Sequence, residues 1–146
     1  MPIRPDLLPL YRTPEYKEAR ALLVARAGNK CEQCGKPNGV LVECVSWVSA
    51  FKIHVMYWRN DWRNAGAWVN RYGIVENAGA IIEASEIAPR FIKVVCTFAH
   101  LDHNPANNAE DNKAFLCQWC HLNYDGPHHK YSRSVRKDRG RPLLSV

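Results

Sequence analysis

Residues 99–125 read AHLDHNPANNAEDNKAFLCQWCHLNYD, and this stretch decides how the rest of the chain is read. It sets an Asp-His pair at Asp102 and His103, an asparagine at Asn112, a C-x-x-C pair at Cys117 and Cys120, and a histidine, His121, directly after the second cysteine. A second C-x-x-C lies upstream at Cys31 and Cys34, followed by Gly35, which permits the tight turn of a zinc knuckle. Two such pairs predict four thiolates around one tetrahedral zinc. That site is closed to water and therefore structural rather than catalytic. Disulfide or redox use is the alternative, and neither pair has a thioredoxin-like strand and helix pattern around it. Cys44 and Cys96 stand in apolar surroundings and are expected to be small buried core residues.

Working outward, a helix is well marked over residues 13–28. Thr13 can cap it, Pro14 suits its first turn, Glu15 favours the positive end of its dipole, and Gly28 can close it. Tyr16, Ala19, Leu22, Leu23 and Ala27 fall near one face at helical spacing. Residues from Val40 to about Tyr57 are rich in β-branched and aromatic side chains and predict strands, and residues 91–99 predict one more strand leading into the Asp-His pair. Between them Trp58, Trp62, Trp68 and Tyr72 are interleaved with Arg59, Arg63 and Arg71. That mixture serves base stacking, a partner protein or ordinary packing. Residues 78–88 fit a short helix or a loop and strand equally well.

The 146 residues suffice for one domain with extensions. The expected division is a single domain over 1–129, with an insertion at about 40–90, and a basic tail over 130–146. The net charge of +6 is uneven: Lys and Arg exceed Asp and Glu by six to three in residues 1–30 and by six to one in 126–146, whereas the middle carries eight against ten. Basic ends suit phosphates and an acidic centre suits cations, although a solvated tail has the same composition. In the tail Lys130, Arg133, Arg136, Lys137, Arg139 and Arg141 are the candidates for nucleic-acid contact, which would be salt-sensitive and largely independent of base sequence. MPIRPDLLPL does not read as an export leader, and no apolar run approaches the roughly 20 residues needed to cross a bilayer. The expectation is a cytoplasmic protein without membrane contact, in a reducing compartment where paired C-x-x-C motifs favour metal.

The chemistry concentrates where the second strand meets the following helix. An unperturbed imidazole titrates near neutral pH, so His103 can act as a general base. On a strand, Asp102 would face the opposite side from His103 and could serve a metal. His121 follows the last cysteine of the knuckle, which fixes where its ring points. His100 shares a face with Asp102 and either joins the site or packs. His54, among apolar residues, is expected to be a core histidine, and His128 and His129 either meet phosphate or lie in solvent.

These residues resemble the HNH family of endonucleases, also called the His-Me or ββα-metal finger, over roughly residues 13–39 and 92–129. AHLDHNP, LCQWCHLNYD and the trailing GPHH are similar to a subgroup of small zinc-binding HNH proteins of bacteria and their phages. The resemblance implies an α+β fold: a ββα-metal core with a four-cysteine structural zinc site, an N-terminal helix and an inserted, largely β subdomain. It implies His103 as general base, Asn112 as the residue bracing the loop, and Asp102 and His121 as ligands of a catalytic Mg²⁺ or Mn²⁺. It also implies DNA as substrate, cut to 5′-phosphate and 3′-hydroxyl ends. Two departures stand out: Lys113 occupies a position commonly held by leucine, and the gap from Cys34 to Asp102 is longer than a minimal module requires. The alternatives are a non-catalytic zinc-bearing DNA-binding module and a subunit whose aromatic insertion docks on a phage packaging or defence assembly. Cutting both strands would call for two copies, hence a homodimer.

Overall fold

The computed structural model describes residues 5–60 and 66–127. A short 3-10 turn, Leu8–Arg12, leads into helix α1, Pro14–Ala27. The expected caps are in place. Thr13 Oγ1 accepts a hydrogen bond from Tyr16 N at 3.2 Å, and Gly28 closes the helix in the left-handed conformation at φ 64°. The buried face is narrower than its spacing predicts. Ala19 and Leu23 are buried, but Leu22 is 57% exposed because the core reaches only one side of the helix.

The predicted strands over residues 40–57 form a hairpin of β1, Leu41–Val48, and β2, His54–Arg59. Strands β3, Trp68–Asn70, and β4, Val75–Glu76, extend the sheet beyond β2, and β5, Arg90–Lys93, pairs with the other edge of β1. The resulting order is β4-β3-β2-β1-β5, antiparallel throughout. Residues 79–84, which the sequence left open, form helix α2, Gly79–Ala84, and bury Ile82.

The single strand expected over residues 91–99 is broken. β5 belongs to the large sheet, while β6, Cys96–His100, pairs with β7, Lys113–Cys117, in a separate two-stranded sheet. Side chains from distant positions cause the break. Val95 N donates to Gln118 Oε1 at 3.0 Å and Cys96 N to Asn38 Oδ1 at 2.9 Å, so neither amide joins the β1 ladder. Residues 118–127 form helix α3 directly after β7. The chain from Cys96 to Asp125 is thus a hairpin followed by a helix.

Residues 40–90, expected as an inserted β subdomain, are rich in strand and do not stand apart. Val42, Cys44, Met56 and Trp58 from β1 and β2 share one buried cluster with Leu23 of α1, Phe98 of β6 and Phe115 of β7. A second, smaller cluster gathers Val45, Tyr57, Trp68, Ala78 and Ile82 on the other face of the sheet. This alternation along β1 and β2 is what a sheet packed on both faces requires. The chain is a mixed α+β fold, and among the described residues no helix is long and apolar enough to cross a membrane.

Candidate metal centre and loop site

Cys31 and Cys34 come from the turn after α1, Cys117 ends β7, and Cys120 lies in the first turn of α3. All four are buried, and their sulfurs lie within 4.8 Å of one another. The turn is held by Gly35 N donating to Cys31 O at 2.9 Å and Cys31 N donating to Lys36 O at 2.9 Å, with Gly35 at φ 80°. Four sulfurs at the usual 2.3 Å from one zinc would stand about 3.8 Å apart, and Cys34 and Cys117 are separated by 3.7 Å. The donor set therefore fits a structural metal ion such as zinc. Its electrostatics agree. Hydrogen bonds among the sulfurs hold Cys31 low and bring Cys117 down to about 7, while the same contacts push Cys34 and Cys120 up. Four negative sulfurs this close need a cation before all can ionise.

β2 and the turn between β3 and β4 brace this centre. Trp58 Nε1 donates to Cys34 O at 2.9 Å, and the turn at Gly73 lies so close that a β-carbon there would stand 3.5 Å from the same oxygen. On the other side Glu32 N donates to Phe115 O and Phe115 N to Glu32 Oε1, both at 2.8 Å, which ties the first knuckle to β7. Cys44 and Cys96 are buried free thiols outside the cluster, and burial pushes Cys96 up to about 12.

The second site lies where the β6–β7 loop meets α3. β6 ends at His100, so Asp102 and His103 stand on a turn. The expected opposition of their side chains across a strand does not occur. His103 adopts φ 60°, a left-handed conformation uncommon outside glycine, asparagine, aspartate and histidine, with its amide donating to His100 O at 3.0 Å. Asp102 braces the loop. Its Oδ1 accepts from Asn104 N at 2.8 Å and Asn112 Nδ2 at 2.9 Å, and its Oδ2 accepts from Asn107 Nδ2 at 2.9 Å. The Asn107, Asn104 and Asn112 donors hold its carboxyl below the ordinary carboxylate value. Asn112 completes the tie, accepting from Asp102 N at 3.0 Å and donating to Asn107 O at 2.8 Å, while Leu101 N donates to Asn112 O at 2.8 Å.

From α3, one carboxylate meets both imidazoles. Asp125 Oδ1 is 3.0 Å from His103 Nε2, and Asp125 Oδ2 is 2.9 Å from His121 Nε2. His121 Nδ1 lies 2.7 Å from Thr97 Oγ1 on β6. Tyr124 stacks on His103 at 5.5 Å with rings 15° apart, and its hydroxyl donates to Leu101 O. His103 is thereby gripped by two consecutive residues of the helix. Asp125, Tyr124 and Thr97 were missed by sequence reasoning. The one available signal was the spacing of Asp125 four residues after His121, which puts both on one helix face.

His100 is buried, sits 3.0 Å from Asn108 Oδ1 through Nε2 and packs on Phe98 and Tyr16, so its place is in packing. His54 is corrected: it is exposed at the open end of β2, not a core histidine, because the hairpin tip projects beyond both buried clusters. Lys113 is buried with its ammonium 2.7 Å from Glu110. Trp58 and Trp68 are buried, and Arg59 lies 4.2 Å over the Trp68 ring while pairing with Glu43 at 2.7 Å, so these aromatic and basic residues pack. Trp62, Arg63, His128, His129 and the tail residues Lys130, Arg133, Arg136, Lys137, Arg139 and Arg141 lie outside the described residues. No family model, curated protein or solved structure matches the chain.

Proposed function

We propose that this protein is a divalent-metal-dependent endonuclease of the HNH type, built on a ββα-metal core and stapled by zinc at Cys31, Cys34, Cys117 and Cys120. The observation that carries the reading is the convergence of His103 and His121 on the two oxygens of Asp125, beside a loop braced by Asp102 and Asn112. Phosphodiester hydrolysis needs a base for water, a cation for the developing charge and rigid positioning of both.

His103 takes the proton of a water molecule that attacks phosphorus in line. Asp125 and Tyr124 hold its ring in one orientation, and its left-handed backbone aims the side chain from the turn toward α3. Asp102 is ionised and surface-exposed, and its three described donors leave one of about four acceptor positions for a cation. Asp102 and His121 would hold Mg²⁺ or Mn²⁺, His121 by giving up its contact with Asp125 Oδ2 or Thr97 Oγ1, and the cation would neutralise charge on the phosphate and on the departing 3′ oxygen. Asn112 keeps Asp102 and His103 in register by fixing the loop on both sides. The substrate is DNA, with the basic tail contributing phosphate contacts.

The test is conversion of supercoiled plasmid to nicked and linear forms with Mg²⁺, Mn²⁺ or chelator, comparing wild type with His103→Ala at matched zinc content. Metal-dependent cutting that is lost in the variant supports the nuclease. Zinc-loaded, folded wild type that binds DNA and cuts nothing under either metal refutes it and favours a binding module.

A further inference from the structure

Lys36 is 4% exposed, two residues beyond Cys34. Its Nζ lies 3.8 Å from Cys117 Sγ and 5.9 Å over the Trp119 ring, and among the described residues no carboxylate pairs with it. An ammonium buried without a counter-charge is strongly disfavoured. The groups it faces are sulfurs. Four thiolates around one divalent cation carry a net charge of minus two, so the centre supplies the negative charge that Lys36 needs, and Lys36 removes half of the centre's excess.

We propose that Lys36 is the resident counter-ion of the four-cysteine centre, donating a hydrogen bond to Cys117 Sγ that retains the metal and blunts that sulfur toward electrophiles. The hydrogen bond draws electron density from Cys117 and lowers its nucleophilicity while it remains a ligand. The placement makes this effect local to one sulfur, since Cys117 is the described sulfur within reach of Nζ. Trp119, between Cys117 and Cys120, roofs the ammonium, and Arg71 from the insertion lies 5.3 Å over the same ring. The insertion therefore shelters the counter-ion as well as bracing the knuckle. The inference rests on the zinc reading of the cluster and is independent of nuclease activity.

Zinc-loaded wild type, Lys36→Met and Lys36→Arg are compared for zinc affinity against a chromophoric chelator and for the rate of zinc release by N-ethylmaleimide. Lys36→Met, which keeps the length and removes the charge, is expected to bind zinc about 10- to 100-fold more weakly and to release it faster, whereas Lys36→Arg stays close to wild type. A folded Lys36→Met with affinity and release rate within twofold of wild type overturns the proposal. A second measurement needs no variant. Under limiting N-ethylmaleimide, peptide mass spectrometry of zinc-loaded wild type is expected to find Cys117 modified last of the four ligands, and modification of Cys117 first or with the others overturns the proposal. Wild type that binds no zinc overturns the zinc reading and this inference together.

Discussion

Asn112→Ala is the perturbation whose consequences the structure specifies most fully. The side chain accepts from Asp102 N at 3.0 Å and donates to Asn107 O at 2.8 Å, and both bonds join the two sides of the loop. A net value of about 1 kcal/mol for each neutral hydrogen bond gives about 2 kcal/mol for the pair. The third contact, to the exposed Asp102 carboxylate, faces water and adds nothing to that figure. The loss falls on local opening of the loop, because β6 and β7 keep their own ladder from Cys96–Cys117 to His100–Lys113. Native-state hydrogen exchange at the Asp102 amide should therefore speed up by about 30-fold, the equivalent of 2 kcal/mol, while amides of β1 and β2 hold their protection. DNA cutting should fall at least tenfold with zinc content unchanged. Asn112→Asp should do more damage than Asn112→Ala, since it keeps the acceptor for Asp102 N but sets a second carboxylate against Asp102 Oδ1. Exchange at Asp102 within about twofold of wild type in Asn112→Ala would show that Asn112 does not hold the loop closed.

Asp125→Asn keeps the size of the side chain but removes the charge shared by His103 and His121, and should lower cleavage about 10- to 100-fold with zinc content and unfolding midpoint little changed, as measured on a labelled duplex. The Asp102 carboxyl, followed by its carbon chemical shift, should titrate with a midpoint below the ordinary 3.8, and Asn112→Ala should move that midpoint back up. Because the folded value is lowered, whatever the carboxylate adds to the loop is present above 3.8 and is lost as pH falls through the folded midpoint, so loop protection should hold at mildly acidic pH and weaken only below that midpoint. Phe115 of β7 is fully buried in the larger cluster, so Phe115→Ala should cost about 3–5 kcal/mol in denaturant unfolding.

Much of this was legible where local chemistry decides the outcome. The α1 boundaries follow from Thr13, Pro14 and Gly28, whose effects reach only a turn away. The gathering of four cysteines follows from their spacing, and the strand content of the insertion follows from its β-branched and aromatic residues. What stayed hidden depends on distant partners. The break between β5 and β6 is made by Asn38 and Gln118, which no local pattern at Val94 and Val95 announces. The shared core of the insertion and the knuckle depends on Trp58 reaching Cys34 O across 24 positions. Asp125 belongs to the same class. Its spacing from His121 was visible, but its second contact, to His103, exists only once the loop folds onto α3. His54 shows the reverse error, since apolar neighbours in sequence do not bury a residue at the open end of a hairpin.

The claim that His103 is the general base is tested most directly by chemical rescue of His103→Gly. Glycine accepts φ 60° without strain, so the loop should keep its shape when the ring is removed. Zinc-loaded His103→Gly is expected to leave plasmid intact with Mg²⁺ and to regain cutting as imidazole is added, in proportion to the unprotonated form. Wild-type cutting by the variant without imidazole would contradict that claim.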